Sequence, residues 1–250
     1  LNSKEEGGEK TMNNLDILKS GGSQLGLDID DKMAQKFFVF KDLLIEWNKK
    51  INLTGITDEK EIIIKHFLDS LTCINTGVFR QDSKVIDVGT GAGFPGVPLK
   101  IYYEDLKLTL LDALNKRIKY LMEVCEKINL SNVQFIHGRA EDYGKKEEHR
   151  ENYDIAVARA VADLSILSEY CLPFVKVNGF FVAQKGPNID EEISKAKTAI
   201  KTLGGKVVNK IEIQLPYSDI NHSLVIIQKI KHTPMKYPRK AGTPIKKPLL

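Results

Sequence analysis

Residues 84–96 read KVIDVGTGAGFPG: a short β-branched run, an acid at Asp87, then glycines at 89, 91, 93 and 96 leading into a helical pattern. A strand that ends at a glycine-rich turn and opens a helix brings bare backbone close to a ligand. The helix start adds N–H groups suited to anionic or hydrogen-bonding atoms. Gly91, Gly93 and Gly96 also satisfy GxGxxG, the spacing of dinucleotide-binding turns, which alone is a weak signal.

Outward from this turn, β-rich runs alternate with helical stretches. Strands are expected at 84–88, 107–111, 133–136, 153–158 and 180–184, with helices near 95–102, 114–129, 163–171 and 189–203. That alternation predicts an α/β fold whose mostly parallel sheet is covered on both faces. Runs 206–215 and 223–230 are joined by PYSDINH alone, too short for a crossover, so they must pair antiparallel. Ahead of the sheet, Met33, Phe37, Phe40, Leu44, Trp47 and Ile51 mark one face of a helix. Asp58 and Glu61 open another, running to about residue 75 and burying Ile63, Phe67, Leu71 and Ile74.

Open α/β sheets bind ligands at the carboxyl ends of their strands, and those ends carry a pattern. Asp87, two residues before the first glycine, would repel a pyrophosphate but suits the cationic methionine end of S-adenosylmethionine. Asp112 closes the second strand, where a carboxylate accepts ribose hydroxyls in either cofactor. The antiparallel ending departs from a nicotinamide domain. These features favour S-adenosylmethionine and leave a nicotinamide-dependent oxidoreductase as the competing reading. Ala140 and Glu141 follow the third strand, at the expected adenine edge, although a solvated loop acid explains Glu141 equally well. Arg159 ends the fourth strand, where substrate and methyl group should meet, and Lys185 ends the fifth. The Asn/Asp-Pro-Pro-aromatic corner of amino-methylating enzymes is missing there, which argues against exocyclic amines as substrates. His66 sits at helical spacing from Phe67 and Leu71, so packing or hydrogen bonding is expected of it rather than base catalysis. Asp69 and Ser70 are expected to brace that helix against the sheet, and Trp47 to be core.

With 250 residues, 42% hydrophobic and 28% charged, the chain has an ordinary globular composition. It has no apolar run of the ~18 residues a membrane helix needs. Cys73, Cys125 and Cys171 lie far apart without a CxxC, which argues against a zinc knuckle and fits a reducing cytoplasm. No metal site is expected. The opening LNSKEEGGEKTM reads as a translated ribosome-binding site, so Met12 is the expected start and 1–11 an over-long leader. The net charge of +4 is mild, but no acid follows Asp219, while Lys229, Lys231, Lys236, Arg239, Lys240, Lys246 and Lys247 gather among four of the nine prolines. Such spacing should hold the tail extended with its charges outward. Lys185, Arg239, Lys240, Lys246 and Lys247 are therefore candidate RNA contacts. The expected organisation is a leader (1–11), a helical region (12–78), a methyltransferase domain (79–231) and a basic tail (232–250).

Together LLIEWNKKINLTGIT, KHFLDSL, DVGTGAGFPGVPL, DALNKRIKYL, GRAED, ARAVADL and YPRKAGTPIKKPL resemble one family, the bacterial small-subunit rRNA guanine-N(7) methyltransferases (RsmG, or GidB), over about residues 33–250. The resemblance implies a Rossmann-like class I S-adenosylmethionine methyltransferase fold. It implies cofactor contacts at Gly89, Phe94, Asp112, Ala113, Leu114, Ala140, Glu141 and Arg159. It further implies a guanine of 16S rRNA in the small ribosomal subunit as target, with aminoglycoside resistance when activity is lost. A monomer without membrane contact is expected. Methylation of a protein or small molecule, and a catalytically silent RNA-binding factor, are the alternatives.

Overall fold

The computed structural model describes residues 12–159 and 162–249; residues 1–11, expected to be a leader, Ala160 and Val161 of the ARAVAD stretch, and Leu250 lie outside the described residues. Seven strands form one sheet: β1 Lys84–Val88, β2 Lys107–Asp112, β3 Val133–His137, β4 Tyr153–Arg159, β5 Val175–Lys185, β6 Gly205–Gln214 and β7 Asn221–Lys229. Their order is β3-β2-β1-β4-β5-β7-β6. The first five are parallel, while β7 runs antiparallel to both β5 and β6. The expected hairpin is therefore present, with its second strand inserted beside β5.

Alternate residues of each strand feed two cores. Val85, Leu108, Leu110, Val157 and Val182 pack on one face with α2 (Asp31–Asn48), α5 (Gly96–Tyr102) and α6 (Asn115–Lys127). Ile86, Leu111, Ala156, Ala158 and Phe181 face α8 (Leu164–Cys171) and α9 (Asp190–Thr202) on the other. The N-terminal helices belong to the first core. Phe37, Phe40, Phe67 and Leu71 are buried with the sheet residues rather than in a cluster of their own.

Two elements differ from expectation. A helix at Asn14–Gln24 (α1), capped by the Asn13 side chain, precedes the predicted ones. Its Gly21-Gly22 pair looks like a breaker in sequence. In the fold, a methyl at Gly21 would collide with Leu68 and one at Gly22 with Ile29, so the glycines allow close helix contact. Second, β5 starts at Val175, five residues early. Asn178 takes a left-handed φ of 71°, and the register with β4 shifts there, so Asn-Gly forms a bulge inside the strand instead of ending a turn before it.

The tail corrects the extended-line expectation. Tyr237 and Thr233 are buried, Pro244 opens a turn of helix at Thr243–Lys246 (α10), and Lys229 is fully enclosed. The reason is hydrogen-bonding capacity that a proline count does not show. Arg150 donates to the carbonyls of Thr233, Pro234 and Tyr237, Glu141 accepts from the Gly242 amide, and Arg239 forks onto Glu169.

Candidate active site

The turn after β1 winds back on itself through left-handed glycines, with φ of 72° at Gly89, 60° at Gly91 and 95° at Gly93. Asp87 and Asp112 hold it from two sides. Asp87 is fully buried, accepts from Thr90 Oγ1 (2.7 Å) and the Gly96 amide (2.8 Å), and leaves its Oδ1 without a partner. Burial pushes its carboxyl up to about 6 against the pull of those donors. This corrects the expectation that Asp87 meets the cofactor: it stands under the loop as a brace. Asp112 accepts from the Gly91 amide (2.9 Å) and the Leu114 amide (2.8 Å), tying the loop to the end of β2.

On the outer side of this loop, a methyl added at Gly91 would meet nothing closer than 4.0 Å. Leu114 is 54% exposed and Ala113 is exposed beside it. Open backbone and a bare apolar side chain at the sheet's carboxyl edge, above the buried Asp112 carboxylate that ends β2, fit S-adenosylmethionine. Ala140 and Glu141 stand at the next strand end, opening α7 (Ala140–Tyr143). Glu141 is buried with its carboxylate on Gly242, so only the backbone of this pair is left for an adenine.

Phe94 joins the loop to a second group of residues. Its ring stacks on His66 at 4.5 Å, and the Arg159 guanidinium lies over it at 4.8 Å. Arg159 donates to Asp69 Oδ2 (2.9 Å), to the Lys65 carbonyl (3.2 Å) and to His66 Nδ1 (3.2 Å). A guanidinium only donates, so His66 Nδ1 is an acceptor and its hydrogen sits on Nε2, given to Thr54 Oγ1 at 2.8 Å. Burial, reinforced by the Arg159 charge, lowers the His66 pKa to about 4. A neutral imidazole with both nitrogens engaged is no general base, as expected from its spacing.

Asp69 is the hub. Its side chain is 2% exposed and accepts from Arg159, from Gln184 Nε2 (2.9 Å) and from His222 Nδ1 (2.5 Å), which links the N-terminal helices to the ends of β4 and β5 and the start of β7. His66 lies in a π-helical stretch, Ile63–Leu68, that continues Glu59–Ile62 (α3) and runs directly into Asp69–Leu71 (α4). This wide turn is rare and concentrates at functional sites. Around the hub opens a cleft of about 680 Å³, lined among others by Ile56, Arg159, Lys185, Ile220 and His222. It lies beside the glycine loop rather than over it, on the far side of Arg159.

The fold thus brings Arg159 and Lys185 together with His66 and Asp69. Lys185 is paired with Glu192 (2.7 Å) and the Ala162 carbonyl. Arg239 is tied to the buried Glu169, whereas Lys240, Lys246 and Lys247 are exposed. Gln184 and His222 escaped the sequence reading. The available signal was strand direction: an antiparallel β7 must begin at the edge where its parallel neighbours end. No group of three or more metal-ligating side chains occurs among the described residues.

Residues 33–219 match the family described as rRNA small subunit methyltransferase G. The chain is 60% identical over 233 residues to the Ribosomal RNA small subunit methyltransferase G of Alkaliphilus metalliredigens, covering 93% of this chain and 98% of that one. The protein of the same name from Clostridium perfringens is 53% identical over 238 residues, covering 95% and 100%. Among solved structures, MtNAS in complex with MTA and tNA superposes with a TM-score of 0.52 at 15% identity, over 87% of this chain and 86% of that one, a likeness of fold.

Proposed function

Because the chain belongs to the rRNA small subunit methyltransferase G family, we propose that it transfers the methyl group of S-adenosylmethionine to the N7 ring nitrogen of one guanine in 16S rRNA. The observation that carries this reading is the Phe94–Arg159 contact, which sets the glycine loop and the cleft side by side at the sheet's carboxyl edge. Bound S-adenosylmethionine supplies an electrophilic methyl on a sulfonium. Gly89, Gly91 and Phe94 would line its methionine half, Asp112 its ribose, and Ala113, Leu114 and the backbone of Ala140 and Glu141 its adenine.

The residues suit a nucleophile that carries no proton. N7 of guanine has a free lone pair, so the absence of an available base at His66 costs nothing. The work of the site is orientation, which supplies up to ~7–11 kcal/mol in favourable cases. Positive charge passes to the base during transfer, and an unpaired arginine would oppose it. Arg159 is compensated by Asp69 at 2.9 Å, so the pair presents guanidinium N–H donors with little net charge. Those donors position the guanine carbonyl oxygen, a phosphate or the cofactor carboxylate. Lys240, Lys246 and Lys247 contact the RNA backbone, while Arg239 anchors the tail that carries them. The protein acts as a monomer in the cytoplasm, a setting that suits its three free, buried cysteines.

The test is methyl transfer from labelled S-adenosylmethionine to small ribosomal subunits and to naked 16S rRNA, both from cells lacking this gene. Label should map to N7 of a single guanine, and Arg159→Ala should lose at least about 100-fold in rate while staying folded at the assay temperature, with the buried Asp69 left to Gln184 and His222 and its melting temperature lowered accordingly. Label on protein, or full activity of the folded variant, would refute the assignment.

A further inference from the structure

His222 lies at the start of β7, level with the ends of β4 and β5: in the antiparallel register Lys185 faces Ser223 and Gln184 faces Leu224. Its side chain is 23% exposed on the cleft. Asp69 accepts from Arg159 and Gln184 and is therefore an acceptor toward His222 as well, so Nδ1 carries the hydrogen of that 2.5 Å bond. In the neutral ring, Nε2 is then a bare acceptor. It bonds to no group among the described residues.

The reaction dictates how a guanine must lie here. N7 has to face the methyl donor, hence the glycine loop after β1 and the Phe94–Arg159 contact. The exocyclic 2-amino group is diametrically across the purine from N7, so it points along the sheet away from β1, past β4 and β5, toward β7. Strands are about 4.8 Å apart, so β4 and β7 are separated by about 10 Å, the span of a purine extended by one hydrogen bond. Ile56 and Ile220 supply apolar lining for the base. Lys185 is a donor already held by Glu192, and the cleft's other carboxylate, Asp163, follows β4 and so stands on the near side.

We propose that His222 Nε2 accepts a hydrogen bond from the 2-amino group of the target guanine, which makes His222 a specificity-determining residue held in one tautomer by Asp69. This rests on the guanine-N7 reading above and adds the edge of the base that the protein reads.

Inosine at the target position isolates the interaction, because it keeps N7, N1–H and the carbonyl oxygen and lacks only the 2-amino group. Small subunits reconstituted with 16S rRNA carrying guanine or inosine at the labelled position are compared by kcat/KM. The wild type should prefer guanine by about 10-fold or more. His222→Ala and His222→Asn should reduce that preference to near unity. Asn keeps an N–H for Asp69 and removes only the distal acceptor, so it separates recognition from bracing and carries the test if the Ala variant does not fold. S-adenosylmethionine affinity by calorimetry should be unchanged in His222→Asn. Equal use of both bases by the wild type, or a wild-type preference in His222→Asn, would overturn the proposal. Failure of the wild type to label any guanine would instead overturn the N7 reading on which it stands.

Discussion

Asp87 and His66 are both buried and respond to pH in opposite senses. Burial raises Asp87 to about 6 and, with Arg159, lowers His66 to about 4. Between pH 4 and 6.5 the unfolded chain protonates the histidine more readily than the folded one, so His66 makes stability rise with pH. Over nearly the same window the folded chain holds a proton on Asp87 that the unfolded chain has released, so Asp87 makes stability fall with pH. The two largely cancel in the wild type. Asp87→Asn, whose amide oxygen still accepts from Thr90 and Gly96, removes one side of the balance. Relative to wild type, the variant should gain about 2 kcal/mol between pH 4 and pH 7. Urea unfolding at the two pH values measures this, and parallel profiles would mean that Asp87 ionises like a surface acid.

Within the β1–α5 turn the glycines do different work. Gly91 has φ 60° and faces open space, whereas Gly96 has Asp87 Oδ2 2.7 Å and Leu110 Cδ2 2.9 Å from where a methyl would sit. Gly91→Ala meets a left-handed backbone cost of roughly 1–2 kcal/mol and puts its methyl on the face assigned to the cofactor. Its main effect should be on S-adenosylmethionine affinity, by about 10-fold or more. Gly96→Ala overpacks the buried side, costing about 1–3 kcal/mol. It should appear chiefly as a lowered melting temperature. Calorimetric titration and thermal unfolding of both variants distinguish the two faces. The same weaker affinity and the same melting loss in both would show that the loop acts as one undivided unit.

Over the whole molecule, the tail closes the fold by clasping one side of it, running from Arg150 ahead of β4 across Glu169 on α8 to Glu141 on α7. The Arg239–Glu169 fork is asymmetric: Glu169 is 1% exposed, while Arg239 retains access to water. Arg239→Ala removes the cation from the buried carboxylate and leaves it the backbone amide of residue 239, a defect of up to about 3–5 kcal/mol. Glu169→Gln keeps a hydrogen-bonding group and lets the arginine rehydrate. The arginine variant should therefore be the less stable by at least about 2 kcal/mol, and its tail the faster cut in limited proteolysis. Equal losses would mean that the fork is as solvated as a surface pair. This also changes how the basic tail is probed for RNA contact: charge reversal at Arg239 would set two acids face to face and unfold the clasp, so Lys240, Lys246 and Lys247 are the positions to alter.

Strand periods, the antiparallel ending and the glycine turn were legible in the sequence because they are local: each depends on a few neighbouring residues whose spacing encodes period, turn or cap. The resemblance of the motifs assigned the family for the same reason. What neighbours in sequence do not encode is which distant groups meet. Asp69, Arg159, Gln184 and His222 span more than 150 positions, and only sheet order and the reversal of β7 bring them to one edge. Whether an acid faces ligand or core, as at Asp87, or a cation faces RNA or a buried carboxylate, as at Arg239, depends on packing. The sequence alone determined the strands, the turn and the family; the tertiary structure decided the charge network, because burial and partner choice are properties of the assembled chain.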